Sequence, residues 1–447
     1  MKLWEKGIKT ASTVERFTVG NDRVFDLMLA EADIEGSMAH AMMLTSIGLL
    51  EKDELSAIQV ELVNLYNAVI QGDFLIEEGV EDVHSQVELL LTRKLGDTGK
   101  RIHAGRSRND QVLTDLKLFF RTQLKSIVVQ VDTLTRVMLQ LSEAHQHQGL
   151  PGYTHFQVAM PSSFGLWFGA YAESLVDDLE AVRLAFSMAN KNPLGSAAGY
   201  GSSLPINRTM TTALLGFDDM HHNVVYAQMS RGKTERLIAQ ALAAIASTLN
   251  KMAADVCLYM SQDFGFLSLP DAYTTGSSIM PHKKNPDVFE LIRGRCNQLM
   301  AIPNQITLLT NNLPSGYHRD FQLLKEVLFP AFGMLGDCLS LTTELLPQLK
   351  IRSNILDEDK YKYLFSVEAI NLLLSNGIPF RDAYKQIATE IDAGNFIPAK
   401  NQLHTHEGSI GNLHNEYIMS NLDSVVQSFP FEKIDQAIAK LFLLLPS

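Results

Sequence analysis

The chain has 447 residues, long enough for two or three domains and a large core. Hydrophobic residues make up 46%, ordinary for a globular protein, and the net charge of −12 argues against nucleic-acid binding as the default. The start, M-K-L-W-E-K-G-I-K, is no secretory signal, and no run of about 18 apolar residues suggests a membrane span, so a cytoplasmic chain is the default expectation.

Leu3 to Val19 shows no clear period and reads as an extended arm. From Phe25 the pattern turns helical. Asp53 is the expected cap of a helix whose apolar positions are Leu55, Ile58, Leu62, Leu65, Val69 and Ile70. Glu81-Asp82-Val83-His84 opens another, with Val87, Leu90 and Leu91 on one face. Then comes G-K-R-I-H-A-G-R-S-R-N-D-Q, residues 99–111, where Arg101, Arg106 and Arg108 crowd with His103, Ser107 and Asn109. The planar guanidinium suits carboxylates. A solvated basic loop has the same composition. Asn109 or Asp110 is the expected cap of the next helix.

That helix is long. Leu113, Leu116, Phe120, Leu124, Ile127, Val131, Leu134, Met138 and Leu141 recur at steps of three and four. This predicts a helix of roughly 35 residues, a bundle element. Four further helical patterns run over 161–190, 233–262, 289–310 and 321–346, with Pro303 expected to kink the third. Five long helices predict an up-and-down bundle. Two loops interrupt it, 149–161 and 193–208. After residue 350 the helices shorten, with Pro379, Pro398 and Gly411 between them. No alternating strand pattern and no internal repeat is visible. The expected fold is all-α: a central long-helix bundle (109–350) flanked by two smaller helical domains (1–108 and 351–447).

Thr275 to Asp287 reads T-G-S-S-I-M-P-H-K-K-N-P-D. Gly276, Pro281 and Pro286 make it a loop, and Asp287 is placed to cap the next helix. Ammonium, amide and backbone donors at a helix N-terminus suit an anion. A hydroxyl beside two cations also loses its proton more readily. On composition alone, a basic surface loop fits the same residues. It is not a Walker loop, because G-x-x-x-x-G-K-[ST] is absent.

G-S-S-I-M-P-x-K-x-N-P resembles the signature loop of the fumarase/aspartase superfamily, which eliminates fumarate from substituted succinates. The double lysine and terminal aspartate are most similar to the argininosuccinate lyase family. G-R-S-R-N-D-Q, E-D-V-H, G-Y-T-H at residues 152–155 and Y-x-R-D-x-Q-x-x-K from Tyr317 to Lys325 also resemble that family's motifs. His282, Val158 and Met160 depart from its usual residues. Its S-x-R-D-F-x-x-E pattern appears here as Ser230-Arg231-Gly232-Lys233. The likeness spans roughly residues 3–350.

The resemblance implies roles. Ser277 is the base, with Ser278 as competitor. His155 is the acid, paired with Glu290. Lys283 and Asn285 hold the carboxylate whose charge rises in the transition state. Ser37, Asp82, His84, Ser107, Arg108, Asn109 and Thr154 are substrate contacts. Tyr317, Gln322 and Lys325 face the arginine half. The implied reaction is reversible cleavage of argininosuccinate to L-arginine and fumarate. The implied assembly is a homotetramer with active sites shared between subunits, with no cofactor and no nucleic-acid or membrane partner. His221-His222 and His404-x-His406-Glu407 fall outside the matched motifs and read as surface polar residues, so no metal is expected. Cys257, Cys296 and Cys338 are widely spaced and read as buried thiols. Alternatives are another fumarate-releasing lyase, of adenylosuccinate lyase or aspartase type, and a non-catalytic crystallin-like homologue.

Overall fold

A computed structural model describes residues 12–400 and 404–443. Residues 3–11 of the expected arm lie outside the described residues, and Ser12–Val19 is helical rather than extended.

Five long helices form the centre: Arg108–Ala144, Phe164–Ala189, Lys233–Tyr259, Asp287–Thr310 and Leu323–Leu345. Each packs on the next, and the last returns to the first, closing a ring. The periodic positions do the packing. Leu113, Leu116, Phe120, Leu124, Ile127, Val131, Leu134 and Met138 of the first helix are all buried, and Leu141 packs partly buried against the same core. Trp167, Tyr171, Leu175, Leu179, Val182 and Phe186 of the second are buried too. Non-directional apolar burial therefore holds the bundle together. By length and composition, Lys233–Tyr259 is apolar enough to cross a membrane. Its Ile238, Leu242, Ile245, Leu249, Met252 and Val256 are instead buried in the bundle.

The helices Ala30–Ser46, Lys52–Gln71 and Val83–Leu95 pack at one end, with Ala30–Ser46 on the first bundle helix. Ile58, Leu62 and Leu65 are buried as expected, but Ile70 is exposed. Beyond the bundle, Ser366–Ser375 and Phe380–Asp392 close on a small separate cluster of Ala369, Ile370, Ala383, Ile387 and Phe396. Asn415–Gln427 and Phe431–Leu443 instead return to the main core through Ile418, Leu422, Val425, Ile434 and Leu441.

Several expected details differ. Glu51, not Asp53, caps Lys52–Gln71, in a reciprocal capping box with Glu54. Ser107 caps Arg108–Ala144, and Asp110 is its box partner. Pro286 occupies the cap position before Asp287–Thr310, so Asp287 is the first helical residue. The largest difference is a β-hairpin, Gly149–Thr154 against Gln157–Ser163, where the sequence suggests a loop. Its alternation is hidden because the second strand is largely solvent-facing on both sides. His155 and Phe156 form its two-residue tip with φ of 55° and 58°. Both central residues at positive φ match the turn whose twist suits a hairpin.

Candidate active site

A cavity of about 260 Å³ lies where the N-terminal helices meet the bundle. Six of the expected residues line it: Asp82, Arg108, Asn109, Tyr317, Gln322 and Lys325. Asp82 and Arg108 arrive on adjacent helix starts. Asp82 caps Val83–Leu95 by accepting the Ser85 backbone N–H at 2.8 Å. Its other oxygen meets Arg108 Nε at 2.7 Å. Arg108 also reaches Glu81 and donates to Ser85 Oγ at 3.0 Å. Ser107 lies just outside this lining. Its backbone N–H donates to Asp110 Oδ1 at 2.8 Å, while Asp110 Oδ2 accepts the Gly195 and Ala197 N–H groups, each at 2.9 Å. Asp110 thus ties the Pro193–Arg208 loop to the start of the long helix.

Tyr317, Arg319 and Gln322 come from the turn before Leu323–Leu345. Gln322 Nε2 donates to the Thr18 and Val19 carbonyls at 3.0 and 3.2 Å. The N-terminal segment is thereby fastened over one side of the cavity. Lys325 is buried and sits 2.5 Å from Asp22 and 2.8 Å from Asp26. Burial opposes its charge, but the two carboxylates outweigh burial and hold its pKa above the ordinary lysine value.

Three acids of this cavity, Asp22, Asp26 and Glu81, are not among the site residues expected from the sequence. Asp22 and Asp26 stand four apart on the short helix Asp22–Leu27, so spacing is the available signal. Arg231 also lines the cavity, buried and paired with Glu235 at 3.1 Å.

Two expected contacts are buried away from this lining. Ser37 is 1% exposed and accepts from Arg106 Nη1 at 2.9 Å. His84 is buried, with Nδ1 2.7 Å from Asp33 and 3.3 Å from Asp115. Burial opposes its charge, yet the two aspartates outweigh it and raise its pKa to about 10. Asp33, His84 and Asp115 are close enough to share a metal ion, but the imidazolium already supplies their cation. His221, expected on the surface, is buried too, and its pKa falls to about 3, chiefly through burial. None of the three cysteines forms a disulfide; Cys296 and Cys338 are buried and Cys257 is half-buried.

The remaining expected residues stand on two exposed projections. In the signature loop, Thr275–Gly276 pairs with Lys284–Asn285, so residues 277–283 form its tip. Ser277 Oγ accepts the N–H groups of Ile279 and Met280 at 3.3 and 3.1 Å. Lys284 is held by Asp271, whereas Lys283 is exposed and makes no ion pair among the described residues. Asn285 donates to Thr275 Oγ1 at 3.4 Å. Glu290 is exposed in the first turn of the Asp287–Thr310 helix. Thr154 and His155 are exposed at the hairpin tip, and His155 borders a separate cavity with Tyr153, Trp167, Tyr259 and Phe264. No hydrogen bond or ion pair joins His155 to Glu290 among the described residues.

A family model described as lyase matches residues 8–301. The chain is 60% identical over 440 residues to the argininosuccinate lyase of Parabacteroides distasonis, covering 98% of this chain and 99% of that one. It is 40% identical to the argininosuccinate lyase of Stenotrophomonas maltophilia, over 91% and 93% of the two chains. Among solved structures, EDDS lyase in complex with formate superposes with a TM-score of 0.75 at 21% identity, covering 98% of this chain and 95% of that one. A class II fumarase from Schistosoma mansoni gives 0.70 at 16% identity, covering 96% and 94%. Those two likenesses bear on the fold, which is the all-helical fumarase type. Near-complete coverage at 60% identity carries the closer assignment. The chain belongs to the argininosuccinate lyase family of the fumarase/aspartase superfamily, a family of carbon–nitrogen lyases.

Proposed function

We propose that this chain catalyses the reversible elimination of fumarate from argininosuccinate, releasing L-arginine as the last step of arginine biosynthesis. One observation carries the reading: a single cavity gathers Asp82 from E-D-V-H, Arg108 and Asn109 from G-R-S-R-N-D-Q, and Tyr317, Gln322 and Lys325 from a third motif stretch. Fixed guanidinium and amide donors suit a substrate with three carboxylates, and the acids beside them suit its guanidinium.

The elimination needs a base for a weakly acidic C–H, donors for the developing dianion, and an acid for the departing nitrogen. Ser277 is the proposed base. The two N–H groups its oxygen accepts favour a developing alkoxide. That geometry favours Ser277 over Ser278. Lys283 and Asn285 are the proposed holders of the carboxylate that gains charge. His155, oriented by Glu290, is the proposed acid.

The assembly belongs to the same reading. The His155 tip and the Ser277 loop are exposed, and neither lines the Arg108 cavity. A homotetramer, with each site built from three subunits, would bring them together. Thr154, Ser107, Ser37 and His84 keep their proposed substrate roles only through that assembly or through the residues they hold. The division at 1–108, 109–350 and 351–447 and a cytoplasmic location belong to this reading too.

The test monitors fumarate absorbance when the purified protein meets argininosuccinate, adenylosuccinate or aspartate. The expected result is fumarate from argininosuccinate alone, abolished in Ser277→Ala and retained in Ser278→Ala. Fumarate from a different substrate would overturn the specificity. No fumarate from any substrate, with an intact oligomer, would favour a structural role.

A further inference from the structure

Arg231 stands between two cavities. One is the substrate cavity described above. The other, of about 230 Å³, opens between the start of the Lys233–Tyr259 helix and the Leu313–Gly316 loop. Three cationic residues line this second cavity, Arg231, Lys233 and Arg236, and no aspartate or glutamate does.

The cations are under-used. Arg231 is 4% exposed. Its Nε donates to Glu235 at 3.1 Å and its Nη2 to the Phe321 carbonyl at 3.2 Å. Among the described residues its Nη1 is buried and has no hydrogen-bond partner, and the same holds for Arg236 Nε. A buried guanidinium N–H without an acceptor is costly, so the structure carries unmet demand for one. Glu235 does not meet it, being bonded elsewhere. Its second oxygen accepts the Gly232 N–H at 2.7 Å. Lys233 is exposed, its Nζ lies 3.4 Å from the Tyr226 hydroxyl, and it makes no ion pair among the described residues.

The backbone favours the same sign of ligand. Lys233 and Arg236 lie in the first turn of a 27-residue helix, whose N-terminal end is partially positive. Gly232 just before it has φ +76°, and a Cβ there would come within 2.6 Å of Thr310 Cγ2. Glycine therefore lets the helix start approach the wall of the cavity.

We propose that this second cavity is an anion site, distinct from the substrate cavity, that takes a phosphate group. A phosphate offers several acceptor oxygens to the three cationic residues that line the cavity, which one carboxylate does not. The ligand is inorganic phosphate or a small phosphomonoester. Occupancy would also reach the substrate cavity, because Arg231 holds the Phe321 carbonyl and Gln322 is the next residue. That coupling rests on the substrate reading above; the binding does not.

The experiment is titration calorimetry on the native oligomer at fixed ionic strength, with inorganic phosphate and with glycerol phosphate as probes. The expected result is one phosphate per chain, weakened about tenfold or more in Lys233→Gln and in Arg236→Gln. Tighter binding of the ester would identify a phosphorylated molecule as the ligand, and tighter binding of inorganic phosphate would identify the free ion. Absence of binding by both probes, or affinity unchanged in both variants, would overturn the site. Lys233 is exposed, so its variant keeps the test valid if Arg236→Gln folds poorly. In a parallel assay, phosphate should shift the KM for argininosuccinate in the wild type but not in Lys233→Gln. Failure of the lyase activity itself would leave the calorimetric result standing.

Discussion

Asp82 does two things at once: its Oδ1 takes the Ser85 backbone N–H at 2.8 Å and its Oδ2 meets Arg108 Nε at 2.7 Å. Helix capping and guanidinium orientation therefore depend on one side chain. The two are separable. Asparagine is as good a cap as aspartate but carries no charge. Asp82→Asn should change stability by less than about 0.5 kcal/mol and raise the KM for argininosuccinate about tenfold. Asp82→Ala should lose about 1 kcal/mol as well. Denaturant unfolding and steady-state kinetics on both variants check this. Equal KM in Asp82→Asn and wild type would remove Asp82 from substrate positioning.

Lys325 is expected to be structural as well as substrate-facing. It is 4% exposed and lies between Asp22 and Asp26. Lys325→Met would leave those carboxylates without their cation, at a cost of about 3–5 kcal/mol near neutral pH. Burial would raise the Asp26 pKa, but Lys325 and His84 outweigh burial and hold it below the ordinary value. A depressed carboxyl adds stability above its unfolded pKa and loses it as pH falls through the folded one. The deficit of the variant should therefore narrow in acid. Urea midpoints at pH 7 and pH 3 would show it, and a constant difference would count against the assignment.

Glu35 gives a pH effect of opposite sign. Burial, opposed by Arg121 and reinforced by Glu31, raises its pKa from 4.5 to about 7. A raised folded-state pKa means a contribution fully present below 4.5 and lost as pH rises through about 7. Glu35→Gln should thus match the wild type near pH 4. At pH 8 it should be more stable by roughly 1–2 kcal/mol. Thermal unfolding across that range decides it. A gain that is the same at both ends would mean that ionisation of Glu35 is not the cause.

The parts of the molecule that are legible in the sequence share one physical trait. A three-and-four spacing marks a helix that buries one stripe, so the positions from Leu113 to Met138 stand out. Helix starts are less legible, because Ser107, Asn109 and Asp110 all have capping side chains and only geometry selects Ser107. The hairpin at 149–163 is hidden for a different reason. Its second strand has little buried surface, so alternation never reaches the sequence. In the site, cations and amides in dense motifs are legible. Asp22 and Asp26 are not, since they sit in a short helix without an apolar stripe and act only across space, on Lys325 and, for Asp26, on the Val83 N–H. Ser37 and His84 show the converse. Their motif resemblance suggests contact with ligand, and within one chain they are buried against Arg106, Asp33 and Asp115.

Shared active sites predict rescue between two inactive variants. His155 stands on a hairpin tip and Ser277 on a separate exposed loop. The Arg108 cavity contains neither. If each complete site draws His155 and Ser277 from different subunits, a hybrid of His155→Asn and Ser277→Ala chains contains sites in which both are intact. Random mixing in equal amounts makes that about one site in four. Unfolding the two variants together and refolding them should therefore restore about a quarter of wild-type fumarate release. Each variant refolded alone should remain inactive. Should the mixture stay inactive while forming wild-type oligomers, both groups would have to come from one chain. The hairpin and the loop would then have to move together within it.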